Sequence, residues 1–517
     1  MKNKIYTLEN FNKNKKLFNK KKIVLCHGVF DLMHIGHIKH FEEAKSYGEI
    51  LIVSLTSDKY VNKGPNRPAF NEHNRAAALA SLKIIDYVLI NDNLSSIPVI
   101  KKVKPDYYCK GPDYKNFKDD ITGKIKSEVK AVREVGGKIV YTDAITFSSS
   151  KLINSYSNEF SKDQKVKLEK LKKEISLKKL KDEIINFKDI KILIIGEIII
   201  DEYNFCEAIG KSGKEPTLVL RDIYKEVYSG GSAAIARHLS TFSKKISLLT
   251  ALGEKMEFKS KIFKDNPKNV NIEYLKKSGS PTIIKRRFLD HISKNKVLGV
   301  YSLNDDLLNK FDEKKFQTKL KKLIKQHDLV IVSDYGHGLI SEKSAKIICD
   351  QSKFLAVNAQ LNASNISFHS LRKYKGVNCV IINDRELRHE LRDRNSNVKI
   401  LMKKLCKQQK IKNLIVTMGT EGSIFYNKNK NKFFKNDAFA KTAVDKIGAG
   451  DTMLAIIAAC LFKKFSEDLS LLIGSIAAAK SVKSIGNKYP ITRDDLLKTM
   501  EHLLKWRKYL LLVALVM

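Results

Sequence analysis

The chain has 517 residues, and 96 Lys+Arg against 56 Asp+Glu give a formal charge of +40. That length exceeds one ordinary core and requires two or more domains. The charge is mostly lysine scattered along the whole chain rather than gathered in one tract, so it reads as solvated faces whose field suits small anionic substrates, and it does not indicate a nucleic-acid or membrane-surface protein.

The opening "MKNKIYTLENFNKNKK" carries no apolar signal segment, so secretion is not expected. The next segment, "KKIVLCHGVFD", predicts a strand through Ile23, Val24 and Leu25 that ends at Gly28. A helix is expected from about Gly36, because Ile38, Phe41 and Ala44 recur near helical spacing. His34 and His37 therefore fall at a strand-to-helix turn, where unpaired amides and the helix dipole favour an anion. A buried core pair and a metal pair are the other readings. Zinc would want two more ligands at matched spacing, and no Cys-x-x-Cys or H-E-x-x-H accompanies the pair. No residue is assigned as a metal ligand.

"GVFDLMHIGH" (28–37) resembles the first signature of the cytidylyltransferase-like nucleotidyltransferases, which join a nucleoside triphosphate to a sugar or polyol phosphate on a Rossmann-like fold. "NKGPNRP" (62–68), "NRAAAL" (74–79), "VKPDYYCKGPDY" (103–114) and "FSSSKLI" (147–153) follow in the family's order. The resemblance implies a nucleotidyltransferase domain over 1–155. In it His34, His37 and Lys63 are catalytic, and Gly28, Phe30, Arg75, Gly111, Asp113, Ser149 and Ser150 contact nucleotide and phosphate. A sugar 1-phosphate oxygen would attack the nucleotide α-phosphorus and expel pyrophosphate, so the residues' work is charge neutralisation and alignment. Lys63 and Arg67 also have a plain surface reading in so basic a chain.

Residues 156–189, rich in lysine with leucine and isoleucine between the charges, predict a helical connector. "DIKILIIGEIIIDEY" then opens a second α/β region that alternates strand and helix patterns to about residue 500. That alternation favours a mainly parallel sheet with ligands at the carboxyl ends of its strands. The sharpest chemical signal is "DKIGAGDTMLAIIAAC" (445–460). Gly448, Ala449 and Gly450 leave amides unobstructed at the start of an apolar helix, and Asp451 lies at its mouth as a candidate general base or, more simply, a helix cap. The final "YLLLVALVM" is nine residues long, short of the roughly 20 that span a bilayer, and is expected to pack as a terminal helix.

This second region, 190–517, resembles the ribokinase-like (PfkB-type) sugar kinases. "GEIIIDEY" with Asp201, "YSGGSAAIARHLS" with Gly230 and Gly231, "NDRE" with Asn383 and Glu386, "VTMGTEGSIFY" with Gly419, and "GAGD" all match that family's motifs. The resemblance implies that Asp451 is catalytic, that Asp201, Gly230, Gly231 and Lys285 bind the sugar, and that Asn383, Glu386, Gly419, Gly448, Ala449 and Gly450 bind nucleotide and phosphate. "PTIIKRRF" (281–288) and "VSDYGHG" (332–338) further resemble the bifunctional heptose kinase/adenylyltransferases, here with the domains in reversed order. Ala234 stands where that family's sugar motif has Asn, and "AVNAQLNASN" (356–365) replaces an Asp-Pro-Lys-like segment.

The expectation is thus a two-domain α/β transferase: a sugar or sugar-phosphate kinase fused to a sugar-1-phosphate nucleotidyltransferase making a nucleotide-activated, heptose-like sugar for surface polysaccharide. The alternative is a nucleotidyltransferase alone, with a kinase-like half that binds sugar or holds a dimer. Mg²⁺ with ATP, or CTP in the N-terminal half, is the implied cofactor. A homodimer, a sugar phosphate and a nucleoside triphosphate are the implied partners, without nucleic acid or a membrane span. The seven cysteines stand singly, which suggests reduced thiols and a cytoplasmic location.

Overall fold

The computed structural model describes residues 4–11, 18, 21–61, 67–111, 124–142, 162–366, 368–440 and 443–504. It divides into two compact units, 1–177 with 497–517, and 178–496. The division falls inside the expected connector, whose described part is the helices Lys162–Glu174 and Leu177–Ile185 and a 3-10 turn. The second unit ends at Leu496 rather than running to 517, and the apolar C-terminal segment 505–517 lies outside the described residues. Among the described residues, no helix is long and apolar enough to cross a membrane.

The first unit is built on β1 (Ile5–Thr7), β2 (Ile23–Gly28), β3 (Ile50–Thr56), β4 (Tyr87–Asn91), β5 (Tyr107–Lys110) and β6 (Lys138–Tyr141). They form one sheet in the order β1-β4-β3-β2-β5-β6, parallel throughout. All seven residues of β3 are buried, as a strand covered on both faces demands. Chain order runs outward from β2 to β4 on one side and from β5 to β6 on the other. The carboxyl ends of β2 and β5 therefore flank the topological switch point, where such sheets hold ligands.

The second unit contains a nine-stranded sheet with β7 (Lys191–Gly196) third from one edge and a separate four-stranded sheet that begins, after the single residue Glu197, with β8 (Ile198–Lys211). Then follow β9 (Leu218–Gly231), β10 (Lys245–Gly253), β11 (Val270–Lys277), β12 (Ile284–Asp290), β13 (Lys296–Ser302), β14 (Leu329–Asp334), β15 (Leu355–Ala359), β16 (Cys379–Asn383), β17 (Asn413–Thr417), β18 (Ser423–Asn427) and β19 (Lys432–Asn436). The large sheet has the order β11-β10-β7-β14-β15-β16-β17-β18-β19 and is parallel up to the antiparallel β17-β18-β19 edge. It is the mainly parallel sheet that the alternating pattern predicted.

The small sheet, β13-β12-β8-β9, was not anticipated. "ILIIGEIIID" reads as one apolar run, yet the chain leaves the large sheet at Glu197. Gly196 marks the exit, since a side chain there would meet the Ser333 carbonyl at 2.1 Å.

Candidate active sites

In the first unit, β2 ends at the predicted turn and the helix Ile35–Lys45 begins with His34 as its cap. His34 Nδ1 accepts the Gly36 amide at 3.1 Å, so its ring proton resides on Nε2, a donor. The His34 and His37 rings stack with centroids 3.9 Å apart, and Phe30 packs edge-on against His37 at 5.4 Å. Gly28 is needed for this packing, because a Cβ there would come within 2.9 Å of the Phe30 ring. The two histidines thus lie side by side at the helix mouth, at the sheet's switch point.

Two ion pairs brace this turn, one buried and one with its carboxylate partly exposed. Asp31 accepts Arg67 Nε at 2.6 Å and the Ala69 and Phe70 amides at 2.8 and 3.1 Å. Arg67 is accordingly buried, which removes its surface reading. Arg75 spends its guanidinium on Phe70 O, Val29 O, Thr56 O and Asp58 Oδ1, at 2.9, 2.6, 2.9 and 2.6 Å. It ties the end of β3 to the turn after β2 and so positions the histidine loop, a duty that the resemblance to a phosphate contact did not foresee. Gly111, after β5, has nothing within 4 Å of where a side chain would stand. Lys63, Asp113, Ser149 and Ser150 lie outside the described residues.

In the second unit, the helix Ala449–Phe462 opens on Gly448 at φ 83°. Glycine is required there twice over, by that backbone angle and because a Cβ would fall 1.8 Å from the Asn487 side chain. Gly450 faces open space, leaving the first-turn amides accessible to an anion. Asp451 is buried in the same turn, and burial pushes its carboxyl up to about 6. Its Oδ1 accepts the Tyr335 hydroxyl at 2.7 Å, and this bond and the nearby Ser333 hydroxyl pull its pKa back down. Thr452 is held by the Gly448 carbonyl at 2.9 Å and His238 Nε2 at 3.0 Å.

Tyr335 belongs to "VSDYGHG", singled out in the sequence without a role for any one residue. Glu197, at the exit from the large sheet, accepts the Tyr335 and His337 amides at 3.1 Å each. Burial and the nearby Asp334 push the Glu197 carboxyl upward. From the other side, Asn362 and Asn365 donate to the Tyr335 carbonyl at 2.8 and 2.7 Å. The asparagine-rich 356–365 segment therefore has a definite task here: it fixes the backbone that aims the tyrosine.

The predicted sugar residues come together on the small sheet. Asp201 of β8 pairs in register with Lys285 of β12, and Gly230 of β9 sits beside it. A Cβ at Gly230 would lie 2.1 Å from Asp201 Oδ2, and Gly231 turns at φ 60° against the Glu197 carbonyl. Asp201 Oδ1 is held by Arg287 at 2.6 Å, a partner that sequence reasoning missed. The Lys285 pKa is lowered, first by burial, and its charge in turn reaches His337. His337 Nδ1 contacts Asp305 Oδ1 at 2.6 Å, while its Nε2 is buried without a hydrogen-bond partner among the described residues. Burial, then Lys285, holds this imidazole down at about 4. Ala234 is buried within the helix Ser232–Leu239.

Asn383 and Glu386 form a reciprocal capping box at the end of β16, each accepting the other's backbone amide at 2.8 Å. Glu386 also accepts the Leu361 amide at 3.2 Å. Burial, with Asp451 adding a like charge, raises Glu386 to about 7. Glu386 and Asn383 together present carboxylate and amide oxygens, the hard donors that a divalent cation accepts. Gly419, at φ 60° after β17, borders open space.

An open glycine turn at a helix mouth, a buried carboxylate and a polar cluster on a small second sheet accompany a mainly parallel sheet, the arrangement of a sugar-kinase-like fold. Residues 189–493 match the pfkB family of carbohydrate kinases, and the chain belongs to that family. Residues 25–155 match the cytidylyltransferase-like family.

Among curated proteins, the "Bifunctional protein HldE" of Aliarcobacter butzleri is 45% identical over 120 residues, 23% of this chain and 25% of that protein. The HldE of Geobacter metallireducens is 37% identical over 146 residues, 27% of this chain and 28% of its own length. These matches span about a quarter of the relatives. Among solved structures, phosphofructokinase-2 from Escherichia coli aligns at 16% identity and TM-score 0.49, covering 61% of this chain and 99% of that one. A ribokinase from Thermotoga maritima aligns at 16% identity and TM-score 0.47, covering 60% and 99%.

Proposed function

We propose that the chain is a bifunctional transferase whose second unit phosphorylates a sugar or sugar phosphate and whose first unit joins a sugar 1-phosphate to a nucleotide with release of pyrophosphate, giving an ADP-heptose-type product. The observation that carries the kinase reading is Asp451. It is a carboxylate at the helix mouth, with one oxygen steadied by Tyr335 and an affinity for protons near that of a working base. A sugar hydroxyl would give its proton to this carboxylate as it attacks the γ-phosphoryl group. The amides from Gly448 to Gly450 would take up charge on the transferring oxygens.

A phosphorylated sugar is favoured over a neutral one by Lys285. The Lys285 side chain is buried near Asp201, its ammonium lies 5.6 Å from the Tyr301 ring, and it makes no ion pair among the described residues. The neighbouring Asp201 is already paired with Arg287, so an anionic ligand would suit this cation. Glu386 and Asn383 are the residues that would hold Mg²⁺ on the nucleotide side. The ion, when bound, neutralises and bridges phosphate oxygens.

In the first unit, His34 Nε2–H and the stacked His37 would donate to nucleotide phosphates as pyrophosphate leaves. Arg75 and the Asp31–Arg67 pair would keep the loop rigid. The chain's HldE relatives are similar in this part.

The test is to give the purified full chain ATP or CTP with a panel of sugars and sugar phosphates, and to read ADP and pyrophosphate separately. ADP from a phosphorylated sugar, followed by pyrophosphate from its 1-phosphate, is expected. Pyrophosphate without ADP from any sugar would leave a nucleotidyltransferase with a kinase-like binding half. Neither product would overturn the proposal.

A further inference from the structure

The seven cysteines stand singly in sequence, yet two of them meet in the first unit. Cys26 on β2 and Cys109 on β5 are direct partners in the parallel register, and both are buried. The helix Ile35–Lys45 brings His40 onto them, so that one donor atom from each of the three residues lies within 4.8 Å of the other two. His40 is oriented from outside the group: its Nδ1 is 2.9 Å from Thr142 Oγ1, and Thr142 is itself fully buried and reaches the Lys110 carbonyl at 3.5 Å.

We propose that Cys26, Cys109 and His40 form a binding site for a thiophilic d¹⁰ cation, Zn²⁺ or Cu⁺, separate from both active sites. Two sulfurs and one imidazole nitrogen are the ligand set such ions select, and a hydroxyl partner on a ring nitrogen is the outer contact that fixes a ligating histidine. Sulfurs bound at about 2.3 Å to a tetrahedral ion stand about 3.8 Å apart, so side-chain rotation of about 1 Å closes the group without moving a strand. Three protein ligands suit trigonal Cu⁺, or Zn²⁺ with one open position.

The surroundings favour this over simple packing. Cys26 and Cys109 share their core with Val24, Phe41, Leu51 and Val53, and the half-buried His40 brings the one nitrogen donor of the group to the edge of that core. The neighbouring Lys110 is neutralised by Glu128 at 2.8 Å, so it does not repel a cation outright. A bound ion would pin the histidine-bearing helix to the two strands that flank the switch point. No Cys-x-x-Cys pattern announces the site, because its ligands come from residues 26, 40 and 109.

The test uses the full chain, purified under reductant and stripped with a chelator, and has a readout independent of activity. Anaerobic titration with Co²⁺ should give a thiolate-to-cobalt charge-transfer band that saturates at one equivalent per chain and is erased by Zn²⁺. A parallel titration with Cu⁺ buffered by a chelator of known affinity decides which ion is preferred. Cys109→Val keeps the strand's bulk and should abolish the band. His40→Gln, on the helix, should weaken binding at least tenfold and serves if the first variant does not fold. Wild-type protein that shows no band and retains neither ion against a micromolar chelator would overturn the site. So would a band that survives in a folded variant.

Discussion

The Tyr335 hydroxyl donates to Asp451 Oδ1 at 2.7 Å, across 116 residues of sequence, and so fixes the orientation of that buried carboxyl group. This bond stabilises the ionised form, whereas burial, the larger influence, opposes it and brings the carboxyl to about 6. Removing the hydroxyl must therefore raise the pKa further. Tyr335→Phe is expected to shift the acidic limb of the kinase rate upward by about one pH unit, since one hydrogen bond to a charged group contributes about 1.5–3 kcal/mol at most. A pH profile of ADP release checks this, and a limb that stays in place would make the tyrosine a packing residue only.

Asp451→Asn keeps the volume and the capping oxygen but loses the proton acceptor. Kinase turnover should fall about 10²-fold or more, with a smaller change in KM, and the acidic limb should vanish. Pyrophosphate release by the other unit should be unaffected. Wild-type kinase rates in this variant would reduce Asp451 to a helix cap.

Lys285→Gln tests the anionic substrate. With a phosphorylated sugar the KM is expected to rise roughly 10- to 100-fold, the equivalent of one charge-assisted hydrogen bond, while kcat moves less. Saturation curves for a sugar and its phosphate, measured side by side, separate the cases. An equal loss with both would assign Lys285 to general packing.

His37 and Arg75 should fail in different ways. His37→Ala should leave the N-terminal unit's melting transition nearly in place and cut nucleotidyl transfer by at least about 10²-fold, since the loss falls on transition-state charge. Arg75→Ala strands two strand-end carbonyls and the Asp58 carboxylate, and should lower that unit's stability by about 3 kcal/mol or more. Calorimetry alongside pyrophosphate release distinguishes them. A fully stable Arg75→Ala protein that still loses transfer would return Arg75 to direct phosphate contact.

The two helix mouths were legible in the sequence because such a turn is a local object. His34, Gly36 and His37 lie within one turn, as do Gly448, Gly450 and Asp451, so neighbouring residues alone bring them together. The parallel sheet of the second unit was legible for a similar reason, since a strand covered on both faces reads as an apolar run, as residues 192–195 of β7 do.

What only the tertiary structure decided is where long side chains spend their donors. Nothing in the sequence around Arg75 shows that its guanidinium meets the Phe70, Val29 and Thr56 carbonyls, contacts that register and packing create. The pairing of Tyr335 with Asp451, the second sheet that parts from the first at Glu197, and the meeting of Cys26 with Cys109 all depend on strands distant in the chain being set side by side. Such contacts leave no periodic trace in either segment, because each strand's own pattern records only that it is buried and not which strand is its neighbour.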